Sequence, residues 1–203
     1  MATPKGFNIT VDKADVKRIY DDLAYIKNGA PRAMSRAINH TIGVVRTEAA
    51  SKIAGKGGLY AYKVAYIKEK LKPDNANVNK LTGSIKTPWR GTLLTRFPHR
   101  ELKQGISVKV MKTGGTKKMP GAFFIDLHGK KNPDTGAVET IKAIAYRPSD
   151  PSKVNWQLTG LRIGYGPSPS QAFKKVQPEM TSTGGNRLMQ RLQHEAGRLL
   201  DKQ

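Results

Sequence analysis

The spacing of apolar residues switches period near Leu81 and switches back near Gln171, and this double change limits the fold more than any other feature. Before Lys72, apolar residues recur three and four positions apart, which gathers them on one side of a helix. Val16, Ile19, Tyr20, Leu23 and Ile26 form the first such set. Asp12 can accept the free N–H groups of that first turn, Asp15 suits the positive end of its dipole, and Asn28-Gly29 ends it.

A second helix opens at Ala30-Pro31, where proline is tolerated, and stops at the run Gly55-Lys56-Gly57-Gly58. Met34, Ile38, Thr41, Ile42, Val45 and Ala49 form its expected buried stripe, with Arg32, Arg36, Asn39, Gly43, Arg46 and Ala50 opposite. Tyr60 to Lys72 reads as a shorter helix with Tyr60, Val64, Ile67 and Leu71 on one face, stopped by Pro73. Its other surface is basic, and residues 73–80 form a polar connector.

From Leu81 the period approaches two. The expected strands are Gly83–Thr87, Thr92–Phe97, Ile106–Lys112, Ala122–Leu127 and Thr140–Tyr146, with a last short one at Leu161–Tyr165. Ile106 to Val110 alternates as in a sheet with one wet face. Helices return at Gln171–Val176, before Pro178, and at Asn186–Leu200. The order predicts an α+β fold in one domain over residues 1–203: N-terminal helices, a central antiparallel sheet of about four to five strands, and C-terminal helices packed on it. Its segments are an N-terminal helix (1–29), basic helices (30–72), the sheet (81–165) and the C-terminal helices (166–203).

Charge narrows the function. The 203 residues include 36 Lys and Arg against 15 Asp and Glu, a net charge of +21. Between Leu23 and Pro133 there are 22 basic residues and five acidic ones, so the folded body rather than a tail carries the excess. Such a surplus opposes compaction and favours a polyanion or acidic neighbours. With no cysteine, disulfides, thiol catalysis and thiolate metal sites are excluded. The N-terminus has no apolar signal-like run and no segment nears the ~20 apolar residues of a membrane span, so no membrane partner is expected.

Enzyme chemistry finds little footing. Asp126-x-His128 could offer two metal ligands, but His40, His99 and His194 have no ligand-like spacing to them, so a surface turn is preferred and no metal is expected. Ser168 and Ser170 lack a nucleophile-elbow pattern, and the carboxylate pair Asp21-Asp22 lies on a helix surface. Lys56-Gly57-Gly58 and Thr113 to Lys118 are glycine-rich without phosphate-loop spacing. No enzyme activity and no cofactor are therefore expected, and a metal-dependent nuclease lacks its carboxylate cluster.

Two basic rows remain, Arg32–Arg36–Arg46 and Arg187–Arg191–Arg198, together with Lys117, Lys118, Lys130 and Lys131 around an apolar strand. Neither arginine row is expected to carry balancing acids four residues on, so contact with a polyanion or an acidic neighbour competes with a plain solvated face. With no base-reading motif and 7% aromatic residues, any DNA contact should go to phosphates. Charge at the strand ends also discourages edge pairing.

Three segments carry a resemblance. Lys118-Met-Pro-Gly-Ala-Phe123-Phe, Ala30-Pro-Arg-Ala-Met-Ser-Arg-Ala-Ile-Asn39 continuing to Ala54, and Gly166-Pro-Ser-Pro-Ser-Gln-Ala-Phe173 follow in order and spacing. Together, and with the basic Tyr60–Lys72 segment, they resemble the minor tail protein Z family of long-tailed phages. The likeness runs from about Ala30 to the end, while the N-terminal helix and the stretch from Pro73 to Trp89 depart from it.

The resemblance implies a non-enzymatic virion component, made in the host cytoplasm, at the head-proximal end of the tail. It implies a homo-oligomeric ring, six-fold like the tail, around the DNA channel. Its neighbours would be tail terminator or tail tube proteins, head–tail connector proteins and the DNA backbone. Pro120, Gly121, Ala122, Phe123, Gly166, Pro167, Ala172 and Phe173 would then serve assembly. The competing expectation is a sequence-independent nucleic-acid-binding protein.

Overall fold

A computed structural model describes residues 13–24, 26, 28–131, 138–148 and 160–201. Its helices are α1 (Lys13–Asp22), α2 (Gly29–Ala54), α3 (Val64–Lys70) and α4 (Pro169–Leu200). The strands are β1 (Lys72–Asp74), β2 (Ser84–Lys86), β3 (Thr92–Leu93), β4 (His99–Leu102), β5 (Gly105–Val108), β6 (Lys117–Pro120), β7 (Phe123–Lys131), β8 (Val138–Tyr146), β9 (Arg162–Ile163) and β10 (Tyr165–Gly166). The class is α+β, with the C-terminal helix packed on the sheets.

Among the described residues, the strands do not form one central sheet. They divide into four small antiparallel sheets, ordered β1-β2, β10-β3, β4-β5-β6 and β7-β8-β9. Single residues stitch these pieces together. Gly164 donates its N–H to the Ile144 carbonyl (2.8 Å) and accepts from the Leu94 N–H (3.1 Å), joining the β8 sheet to the β10-β3 pair. Beyond β5, the Ala61 N–H donates to the Val110 carbonyl (2.9 Å), and Tyr60 bridges Met111.

That bridge shortens the expected Tyr60–Lys72 helix at its start. At its other end Lys72 and Pro73 leave the helix to pair with Lys86 and Ile85. Only seven residues remain helical, and Val64, expected on the buried face, is 39% exposed. In β5 both faces are covered: Ser107 is buried and donates to the Arg100 carbonyl, so the expected wet face is absent. The first helix ends at Asp22, not Asn28-Gly29; Asn28 instead takes a left-handed turn (φ 58°) as the residue preceding α2. Asp12 lies outside the described residues.

α2 is buried over more of its circumference than a single stripe. Ala30, Ala33, Ala37, Ala49, Ala50 and Ala54 are all buried, Ala50 included although it was expected on the open side. Small residues let α4 approach closely. One end of this seam is a cluster of Leu23, Ala30, Ala33, Ala37, Leu188, Leu192 and Ala196. The rest joins the main core through Ile42, Val45, Ile53, Val176 and Met180.

α4 is the largest departure from the expected pair of helices. It runs unbroken through Pro178 and Gly184-Gly185. Proline inside a helix costs about 3 kcal/mol and each glycine about 1 kcal/mol. Burial outweighs this: Ala172, Phe173, Val176 and Met180 lie before the glycines, and Leu188, Leu192 and Ala196 after them, all buried. A capping box starts the helix, with Ser168 Oγ accepting from the Gln171 N–H and the Gln171 side chain accepting from the Ser168 N–H.

An aromatic row ties the α2–α3 connection to the sheets. The Tyr62 ring lies 4.4 Å from Phe97, 5.8 Å from Tyr60 and 6.0 Å from Tyr66, centroid to centroid. Its hydroxyl donates to the Pro167 carbonyl (2.5 Å). Burial pushes the Tyr62 phenol up from 10.0 to about 12. The folded state thus favours the neutral phenol, and its contribution is complete below the ordinary value and lost as pH rises towards 12. The gap corresponds to roughly 2–3 kcal/mol. Urea midpoints measured between about pH 9 and pH 12 should fall with rising pH, and Tyr62→Phe should flatten that decline. An unchanged alkaline slope in the variant would remove Tyr62 as its source.

Candidate nucleic-acid interface

Arg36 of α2 and Arg191 and Arg198 of α4 meet at one carboxylate across the α2–α4 seam. Glu195, only 1% exposed, accepts from Arg191 Nη2 at 2.6 Å, while Arg198 and Arg36 stand 3.5 and 3.9 Å from its Oε2. Arg187 pairs with Glu48 of α2. The expectation that the rows lack balancing acids is therefore corrected. Glu195 lies four residues after Arg191, and Glu48 reaches Arg187 from the other helix. Arg46 is also engaged, its Nε and Nη2 donating to the Lys68 carbonyl at 3.0 and 2.7 Å near the end of α3, where a cation suits the helix dipole. Of the six, Arg32 alone is exposed without an ion pair or side-chain hydrogen bond among the described residues.

Lys117 and Lys118 are exposed on β6, an edge strand of its sheet, opposite Val108 and Ser107 of β5. Lys130 and Lys131 occupy the last two positions of β7. Between these lysine pairs lies the Pro120–Phe123 segment. Gly121 turns there with φ +69°, a conformation that disfavours any side chain, Ala122 is buried, and Phe123 opens β7 at 39% exposure. The Gly166–Phe173 segment is structural as well. Gly166 lies under Phe97, Pro167 accepts from Tyr62, and Ala172 and Phe173 are buried in the core.

The structure also assembles a basic cleft that sequence reasoning missed. Tyr66, Lys70, Lys72, Lys86, Thr87, Pro88, Arg90, Gly91 and Pro169 enclose about 430 Å³. α3 supplies the tyrosine and Lys70, the β1-β2 pair supplies two lysines, and the loop before β3 supplies Arg90. Lys70 Nζ and Arg96 Cζ lie 5.5 and 5.7 Å from the Tyr66 ring centroid, within reach of its negative face.

The carboxylates nearby are already committed. Hydrogen bonds from Lys86 and Lys80 hold the Asp74 carboxyl below its ordinary value, and one from Lys70 does the same for Glu69. Lys72 and Arg90 make no ion pair among the described residues. Trp89, between the lining residues Pro88 and Arg90, is 83% exposed. The only hint in the sequence is Thr87-Pro-Trp-Arg-Gly91, a tryptophan framed by turn residues and a cation.

A second cleft of about 520 Å³ is lined by Thr95, Arg96, His99, Glu101, Phe124, Thr140, Ile141 and Lys142. His99 is held there by its Nδ1, 2.8 Å from the Phe97 carbonyl, and by an edge contact with Phe124. Asp126 and His128 are exposed on β7, paired across to Lys142 and Thr140. Among the described residues no three His, Asp or Glu side chains gather as a metal site would require, and no helix is long and apolar enough to cross a membrane. Compared with known proteins, the chain matches no family model, no curated protein and no solved structure.

Proposed function

We propose that the chain is a structural subunit of a phage tail, of the minor tail protein Z kind. It acts without catalysis, as a tail-completion and head–tail joining protein. Copies form a ring, six-fold like the tail, at its head-proximal end. Tail terminator or tube proteins lie on one side, connector proteins on the other, and DNA passes through the middle.

The observation that carries this reading is the place of the resembling segments in the fold. Pro120–Phe123 makes the turn between β6 and β7, and Gly166–Phe173 makes the entry into α4. Elsewhere the surface keeps a positive excess, with Lys72, Arg90, Lys117, Lys118 and Arg32 outside the ion pairs of the described residues. In a ring such charge suits phosphates that must slide past, because contacts to the backbone are indifferent to sequence.

Removing the gene from the phage that carries it tests the proposal. Full heads and finished but unjoined tails are expected, with joining restored by added purified chain. Infectious, joined particles in its absence would overturn the reading. A second reading, a freely acting nucleic-acid-binding protein, is favoured by the basic cleft. It predicts tight, salt-sensitive binding of duplex DNA by the isolated monomer.

A further inference from the structure

We propose that the cleft between α3, β2 and the 87–91 loop, with Trp89 at its rim, binds an unpaired nucleic-acid strand. Phosphates meet Lys72 and Arg90, and a base stacks on the Trp89 indole. The inference concerns the isolated chain and stands apart from the ring reading.

The first support is how Trp89 is presented. An indole 83% exposed on slack chain would mean little, but this loop is fixed on both sides. The Pro88 carbonyl accepts from the Ser170 N–H at the start of α4 (3.3 Å). Gly91 packs so closely on β10 that an added Cβ would lie 3.1 Å from both the Gly166 oxygen and the Tyr165 Cβ. A flat apolar face is thus held out to solvent by a loop anchored on its own sheet and helix.

The second support is the charge beside it. Lys70 and Lys86 hold Glu69 and Asp74, at 2.8 and 3.1 Å, while Lys72 and Arg90 have no carboxylate within ion-pairing range among the described residues. Tyr66 already carries Lys70 and Arg96 at its ring, so Trp89 is the aromatic left to stack, with Tyr165 (53% exposed) next to Gly91. Cations tracking a backbone beside an open aromatic face suit single strands of any sequence, since every base has a π-face. A duplex keeps its base faces stacked inside and would use the cations alone. An acidic protein segment could meet the cations too, but the chain-wide charge of +21 matches a long, evenly charged polymer better than a few carboxylates.

The test uses the full chain with Trp156 changed to Phe, so that Trp89 is the one indole. Oligothymidylate and a duplex of equal length are titrated at low and moderate salt. The single strand should quench Trp89 emission and bind about tenfold more tightly than the duplex. In the parent chain, followed with labelled oligonucleotides, Trp89→Ala should lose about tenfold for the single strand, Trp89→Phe should recover part of it, and duplex binding should stay within about twofold. Lys72→Gln with Arg90→Gln should weaken both ligands and reduce the salt slope by about one to two. Equal affinities without quenching would overturn the proposal. So would a Trp89→Ala variant that still binds the single strand normally, or polyglutamate displacing the strand at equal charge, which would assign the cleft to acidic protein.

Discussion

Replacing Phe97 with alanine is expected to lower the unfolding free energy by about 3–5 kcal/mol, the usual cost of emptying a buried aromatic site. Phe97 is 2% exposed and ends the short 3-10 turn after β3. Its ring contacts Tyr62 from the α2–α3 connection and lies above Gly166 of β10, so three separate parts of the chain share one side chain. The surroundings are poorly placed to collapse, because Gly166 is fixed by its pairing with Thr92. A urea titration should show a lower midpoint with an unchanged slope. The converse change supplies a check. A Cβ at Gly166 would come within 2.6 Å of the Phe97 ring, so Gly166→Ala should cost about 1–3 kcal/mol alone and less in a Phe97→Leu background. A Phe97→Ala cost below about 1 kcal/mol would mean that the ring does not join these parts.

Glu195→Ala is expected to cost about 2–4 kcal/mol. Removing one partner of a buried ion pair typically costs 3–5 kcal/mol, because the other charge is left uncompensated. Here the loss is reduced because the side chains of Arg36, Arg191 and Arg198 remain 44%, 31% and 43% exposed and can turn to water. The three arginines should not be equivalent. Arg191 makes the short hydrogen bond and should matter most, whereas Arg36, at 3.9 Å and largely solvated, should change stability by less than about 1 kcal/mol when cut to alanine. Thermal or urea unfolding of the four variants checks the order. Equal losses for Arg36→Ala and Arg191→Ala would show that summed charge, not the Arg191 contact, sets the energy.

The fold class was legible because apolar period is a local property. α2 could be read almost whole, since proline at its start and glycines at its end bracket a long helical pattern. α4 could not, because its continuity through Pro178 depends on burial against α2, a tertiary effect that outweighs local propensity. β4, His99-Arg-Glu-Leu102, has no apolar alternation, and its partner β5 makes it a strand. The single sheet expected from the strand pattern gave way to four because sequence period says nothing about which strands pair.

The candidate site divides along the same line. The arginine rows were visible as rows, and Glu195 stood within one turn of Arg191 in plain sight; its burial against Arg36 required the helix packing. The cleft drew residues from positions 66 to 169 and left no compact motif.

At 1.5 Å per residue, the 32 residues of α4 make a strut of about 48 Å. Ser170 props the tryptophan loop at one end, and Glu195 gathers its arginines near the other, about 38 Å along the same axis. A pull on the loop therefore loads the helix lengthwise, and the far anchorage against that pull is the buried Leu188, Leu192 and Ala196 contact with α2, with the Glu195 ion pairs beside it.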